Sequence, residues 1–160
     1  FAPYGNPVVR KALSVWKYDQ DREVESVIYG WLSAAGARMA PPVAPFNACA
    51  VPLHEKKRRQ HGFDQASVVA GWAGALYGIP EQELLVRTRS VKSQAQVGSG
   101  ERQVGELDGW FVVAQEVAVP ENVLLCDDVF TSGATMDAAA RVLKEAGAKQ
   151  VWGWVIAKGG

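Results

Sequence analysis

The chain has 160 residues, of which 48% are hydrophobic and 21% charged, a balance that suits one domain with its own core and excludes a disordered polypeptide. Its 17 basic and 17 acidic side chains cancel, so no global charge draws it to nucleic acid or an anionic membrane, and any steering is local. No apolar run reaches the roughly 18 to 20 residues of a membrane span.

Phe1-Ala2-Pro3-Tyr4 has no signal-peptide layout, and together with the lack of a spanning run this predicts a soluble, cytoplasmic protein with no membrane partner. A chain that opens on Phe instead of Met predicts that an N-terminal piece precedes it. Cys49 and Cys126 each lie in an apolar, strand-like run, which reads as two buried small hydrophobes and not as a zinc site.

Pro7 suits a first helical turn, and Val9, Leu13 and Trp16 follow at helical spacing, predicting a helix over 7–16. Asp21 can cap a second helix to about residue 37, with Val24, Val27, Ile28, Trp31, Leu32 and Ala35 as its apolar side. These N-terminal helices, within 7–38, read as scaffold. Pro41-Pro42 breaks the pattern, and 46–53 is strand-like.

A basic run follows that strand, from His54 to His61, with four positive charges (Lys56, Lys57, Arg58, Arg59) against Glu55. Such runs are often only solvated surface. This one follows a strand's C-terminal end, the edge on which α/β sheets bind ligands.

The next helix is predicted over 65–77, with Ala66, Val69, Ala70, Ala73, Leu76 and Tyr77 on one side and Gly78-Ile79-Pro80 as its stop. Leu84-Leu85-Val86 reads as a short strand with Arg87 at its exit. Residues 89–105 carry almost no large apolar side chains and read as a mobile loop, of a length that is often functional although a linker would look similar. Strands then follow at 110–113, 123–128 and 151–157.

The stretch 123–135 organises the rest. Val123, Leu124, Leu125 and Cys126 supply the continuous apolar run of a buried parallel strand. Asp127 and Asp128 come next, at the strand's C-terminal edge. Thr131, Ser132, Gly133, Ala134 and Thr135 lead into a helix with Met136, Ala139, Ala140, Leu143 and Ala146 at three-four spacing and Gly147 as its stop.

Free amides at a helix N-terminus, with hydroxyls and a small glycine, make a phosphate cradle. The acidic pair beside them suits sugar hydroxyls or a metal held through water. Taken singly, Asp at a strand end and Thr at a cap are ordinary, and the specificity lies in their order.

In that order the stretch resembles the phosphoribosyl pyrophosphate (PRPP) motif of type I phosphoribosyltransferases, an apolar strand, two acidic residues, then Thr-Thr-Gly-x-Thr. Ser132 takes the place of the second Thr and keeps the hydroxyl. Val51-Pro52-Leu53-His54, Arg58 and Gly62-Phe63-Asp64-Gln65-Ala66 resemble the ComF family, the competence-associated branch, with Asp64 where Asn is usual and His61 where Arg is common.

The resemblance implies a single α/β domain over 1–160 with a type I phosphoribosyltransferase fold. It would have a mostly parallel central sheet flanked by helices, a core over 46–157 and a flexible hood loop over 87–105. The N-terminal zinc-binding segment of relatives is absent from the sequence. The implied activity is Mg²⁺-dependent transfer of ribose 5-phosphate from PRPP to a nucleobase or other acceptor, with release of pyrophosphate and a link to DNA uptake.

Thr131 to Thr135 would hold the 5′-phosphate, and Asp127 and Asp128 the ribose. His54, Lys56, Lys57 and Arg58 would meet the pyrophosphate, beside Mg²⁺ and near a non-proline cis peptide at 53–55. Asp127, Asp128 and Arg58 form the implied catalytic set, and Arg87, Gln94, Glu101 and Arg102 the hood contacts. The rival readings are a non-catalytic module that keeps the PRPP fold and serves DNA-uptake proteins, and a protein that binds single-stranded DNA through 54–61.

Overall fold

The structure is a computed structural model that describes residues 2–36, 46–53, 63–88 and 109–159. Its centre is β5 (Asn122–Phe130), which pairs in parallel with β2 (Asn47–Ala50) on one side and β6 (Gln150–Lys158) on the other. A two-residue strand, β1 (Ala2–Pro3), adds to the far edge of β6, giving the all-parallel order β1-β6-β5-β2. Nothing in the apolar pattern pointed to β1, because two residues hold no periodicity and Pro3 donates no ladder bond.

Strand periodicity of two sorts the sheet's side chains into two cores. Ala48, Leu124, Cys126, Trp154 and Ile156 face one way, and Cys49, Val123, Leu125 and Val155 the other. The two cysteines are therefore buried on opposite faces of adjacent strands, where no disulfide can join them. Burial pushes the Cys49 thiol up to about 11 and raises that of Cys126, so both act as apolar filling, as expected.

Three helices cover the first face: α1 (Pro7–Asp19), α2 (Arg22–Gly36) and α3 (Gln65–Tyr77). Each begins on a side-chain acceptor that takes up first-turn amides. Asn6 Oδ1 accepts from Val8 and Val9 at 2.9 and 3.4 Å. Asp21 Oδ1 accepts from Glu23 and Val24 at 2.8 and 3.1 Å. Asp64 Oδ1 accepts from Ala66 and Ser67 at 3.1 and 3.4 Å, so an Asp at this position still caps the helix.

Gly78, at φ +63°, ends α3 where the sequence placed its stop. On α2 the burial is narrower than the apolar pattern suggested. Ile28 and Leu32 are buried, whereas Val27 and Trp31 are 49% and 40% exposed, because α2 docks on one side only and the 27/31 row lies away from that contact.

The second face carries α4 (Ala134–Glu145) and a separate antiparallel pair, β3 (Leu85–Arg87) with β4 (Phe111–Val113). These two strands lie outside the central sheet, and Arg87 is the last residue of β3 instead of the first of a loop. On α4, Met136, Ala139 and Leu143 are buried as the spacing predicts, while Ala146 is exposed past the helix end.

Trp16 anchors the helical layer. Fully buried, it stacks on Trp72 at 5.4 Å, meets Phe63 edge-on at 5.6 Å, and donates from its indole nitrogen to Glu25 Oε2 at 3.3 Å. Trp16→Ala is expected to cost about 3 to 5 kcal/mol in urea unfolding. A loss under about 1 kcal/mol would mean that this layer collapses around the cavity.

Candidate functional site

The site begins where β2 stops. Val51 N–H still donates to Cys126 C=O at 2.8 Å, after which the chain leaves the sheet through Pro52 and Leu53. Strand β5 continues to Phe130 with β6 as its partner. Asp127 and Asp128 therefore lie inside β5, on the part left open by β2, instead of following its end.

The Asp128 N–H, past the last β2 residue, is taken by Asp127 Oδ1 at 2.8 Å. An unpaired amide in a part-buried strand would be costly, and the neighbouring carboxylate removes that cost. Alternation then separates the two acids. Asp127 falls on the α4 face and lines a small cavity of about 40 Å³ with Val129, Phe130 and the loop 131–135. Asp128 falls on the α1 face, where its Oδ2 forms an ion pair with Lys17 Nζ from the last turn of α1.

The electrostatics follow from this placement. Burial, then the charge of Asp128, pushes the Asp127 carboxyl up to about 7, against the pull of the Asp128 amide and of Lys17. Its edge on the cavity stays partly open to water, which screens part of the burial cost.

Gly133 opens α4 in the left-handed region, φ +83°, and no side chain bonds the first-turn amides there as a full cap. The nearest approach is Ser132 Oγ, 3.5 Å from the Ala134 N–H, and Thr131 and Ser132 are exposed. The expected cradle thus exists as an N-terminus on Gly133 whose amide groups are not consumed by a side chain. A Cβ on Gly133 would lie 2.6 Å from Phe130 Cζ, so both the φ value and the ring exclude larger residues.

Arg87 ties the β3 pair to this edge. Its guanidinium lies 4.5 Å from the Trp110 ring centroid and 5.3 Å from that of Phe111, and Nη1 donates a long 3.5 Å bond to Pro52 C=O. Burial lowers its pKa while the charge of Asp127 opposes that shift. A larger cavity, of about 270 Å³, lies beside it, lined by Pro52, Leu53, Asp64, Glu83 and Leu85 among others.

Of the anticipated residues, the structure gathers Asp127, Thr131, Ser132, Gly133, Ala134 and Thr135 around one cavity, sets Asp128 on the opposite face and brings Arg87 near. His54, Lys56, Lys57, Arg58, Gln94, Glu101, Arg102, the basic run, the hood loop beyond Thr88 and the cis peptide at 53–55 lie outside the described residues. Sequence reasoning passed over Lys17, read as a helix end, and Gln65, 3% exposed with Nε2 unpartnered among the described residues. Among the described residues no cluster of three or more His, Cys, Asp or Glu is placed to hold a metal, and no helix is long and apolar enough to cross a membrane.

Two outcomes are expected. Between the unperturbed value of 3.8 and about 7, the folded protein keeps an Asp127 proton that the unfolded chain has released. Stability therefore falls as pH rises through that window. Melting the parent and Asp127→Asn at about pH 5 and about pH 8 should show the variant gaining on the parent at the higher pH. An unchanged difference would mean that Asp127 ionises as an ordinary surface carboxylate. Gly133→Ala should lose about 1 to 2 kcal/mol in denaturant unfolding from backbone strain alone, and parental stability would show that the loop relaxes freely.

Comparison with known proteins places this geometry. No protein-family model matches the sequence. It is 28% identical over 146 residues to the competence protein ComFC of Streptococcus pneumoniae (strain ATCC BAA-255 / R6), covering 91% of this chain and 61% of that protein. It is also 28% identical over 142 residues to ComFC of Bacillus subtilis (strain 168), covering 89% and 56%. The chain spans about three fifths of the length of these curated relatives.

Among solved structures, the chain resembles that of the allosteric regulatory enzyme of purine biosynthesis, with a TM-score of 0.52 and 21% identity over 83% of this chain and 26% of that one. Sequence and fold therefore agree: this chain is similar to the ComFC competence proteins and carries an α/β fold of the phosphoribosyltransferase type.

Proposed function

We propose that this chain binds PRPP and transfers its ribose 5-phosphate group, in a Mg²⁺-dependent reaction that releases pyrophosphate, within a process connected to DNA uptake. The observation that carries the reading is the cavity at the open end of β5. There Asp127 and an N-terminus not capped by a side chain line one wall-to-wall space with the hydroxyls of 131–135.

In this reading the 5′-phosphate lies on the α4 amides and the Thr131, Ser132 and Thr135 hydroxyls, where the partial positive charge of the helix start favours an anion. The ribose lies along the edge that β2 leaves open, with Asp127 on one side of the strand and Asp128 on the other, each accepting from a ring hydroxyl. The bond from C1 to the pyrophosphate oxygen breaks, its electron pair leaves with pyrophosphate, and an electron pair of the acceptor forms the new bond to C1.

The sugar passes through a cation-like state, so the chain's contribution is to hold the ring still and place charge correctly. An Asp127 that is easily protonated reduces repulsion toward the incoming phosphates and can ionise as positive charge develops on the sugar. No trio of His, Cys, Asp or Glu stands together among the described residues to hold the ion, so Asp127 and Asp128 would meet Mg²⁺ through water, arriving with the ligand. When bound, it would neutralise charge on the leaving pyrophosphate. His54, Lys56, Lys57 and Arg58 are the proposed pyrophosphate contacts, with Arg58 catalytic, and Gln94, Glu101 and Arg102 join Arg87 as hood contacts.

The relatives are named for a process and not a reaction, which favours one second reading, a PRPP-binding module without turnover. Calorimetric titration of PRPP with Mg²⁺, followed by pyrophosphate release across a panel of nucleobases and amines, separates the two. Release with any acceptor supports the transferase, and binding with none released supports the module. Asp127→Asn with Asp128→Asn should weaken PRPP binding by about 3 kcal/mol, roughly a hundredfold, and parental affinity in that double variant would sink the ribose assignment. DNA binding through 54–61 would instead appear as an affinity that falls steeply with salt.

A further inference from the structure

Lys17 belongs to none of the stretches that resemble a nucleotide-sugar site, yet its ammonium reaches the acidic strand from α1. The Lys17 and Asp128 side chains are 25% and 15% exposed. At that depth a carboxylate without a counter-charge is costly, and a fixed partner changes both its charge and its direction.

The neighbourhood sharpens the point. Asp127 and Asp128 are consecutive, and a ligand carrying several phosphate charges would meet two like charges in the strand that is to receive it. Asp127 is held by the Asp128 amide, at 2.8 Å. Asp128 is held from the other face by Lys17, through Oδ2, while its side chain also meets that of Asp127. Arg87, whose guanidinium lies over the Trp110 and Phe111 rings, supplies further positive charge near Asp127.

We propose that Lys17 is a positioning residue of the phosphoribosyl site: its ion pair fixes the Asp128 side chain, cancels its charge and aims the carboxylate at a ribose hydroxyl. The inference rests on the PRPP reading above. It also makes the N-terminal helix part of the site instead of only a cover over the core.

Lys17 is held for this role by its neighbour in sequence. Trp16 is locked by Trp72, Phe63 and Glu25, so the helical backbone at Lys17 has little freedom. The left-handed Gln20, φ 52°, ends α1 within a turn of it, and a cation in the last turn is also favoured by the helix dipole.

The test is calorimetric titration of Mg²⁺ and PRPP into the parent, Lys17→Met, Lys17→Arg, Asp128→Asn and the Lys17→Met, Asp128→Asn double variant. All are measured well below their melting midpoints, so that a loss of stability does not mimic a loss of affinity. Lys17→Met should weaken binding roughly tenfold, Lys17→Arg should restore most of it, and Lys17→Met should add nothing once Asp128 is Asn.

Parental affinity in Lys17→Met overturns the inference alone. So does a loss that Arg fails to restore, or one that persists in full in the Asp128→Asn background. A parent that binds no PRPP overturns the phosphoribosyl reading, and this inference with it.

Discussion

The site exists because one strand outruns its neighbour. β2 ends at Ala50, opposite Cys126, while β5 goes on to Phe130. For those last residues the backbone on one side meets no pairing strand among the described residues, and the side chains keep alternating across the sheet. An apolar sequence there would leave a costly open edge. Two aspartates place acceptors at that edge, and one of them closes the first unpaired amide itself.

Two adjacent carboxylates in a part-buried strand would repel each other and lose hydration, and the fold answers each differently. For Asp128 the answer is a cation from α1. For Asp127 it is a higher pKa, with the Asp128 amide as partial compensation. The pair then carries less negative charge than its composition suggests, which matters for any phosphorylated ligand. Beside Asp127, α4 differs from the other three described helices. Those begin on Asn6, Asp21 and Asp64, whereas α4 begins on a glycine, so no capping carboxylate takes up its first amides, although Asp137 lies in its first turn.

Much of this was legible in the sequence. The helix over Gln65–Tyr77 has a capping Asp before it and a left-handed glycine after it, so its bounds could be read directly. β5 announced itself by four consecutive apolar residues, although its true end at Phe130 did not, since Asp and Val-Phe alternate there as a loop might. β1, the pairing of β3 with β4 outside the main sheet, and the partner of Asp128 were not legible. Each depends on which segments meet in space, and neither periodicity nor composition encodes that.

The N-terminal helices show how core packing sets charge placement. An exposed lysine has many rotamers and a weak, screened attraction to any one carboxylate. Lys17 follows Trp16, the fully buried tryptophan of α1, and sits where that helix runs out against β5. The indole's burial fixes the helix's rotation, and that rotation decides which side chain in the last turn faces the sheet. A swing of α1 that moved Trp16 out of its stack would carry Lys17 off Asp128, leaving the carboxylate without this counter-charge. Packing energy spent on Trp16 therefore also supports the geometry of an ion pair on the other side of the same helical turn, and the scaffold and the site are one structure here.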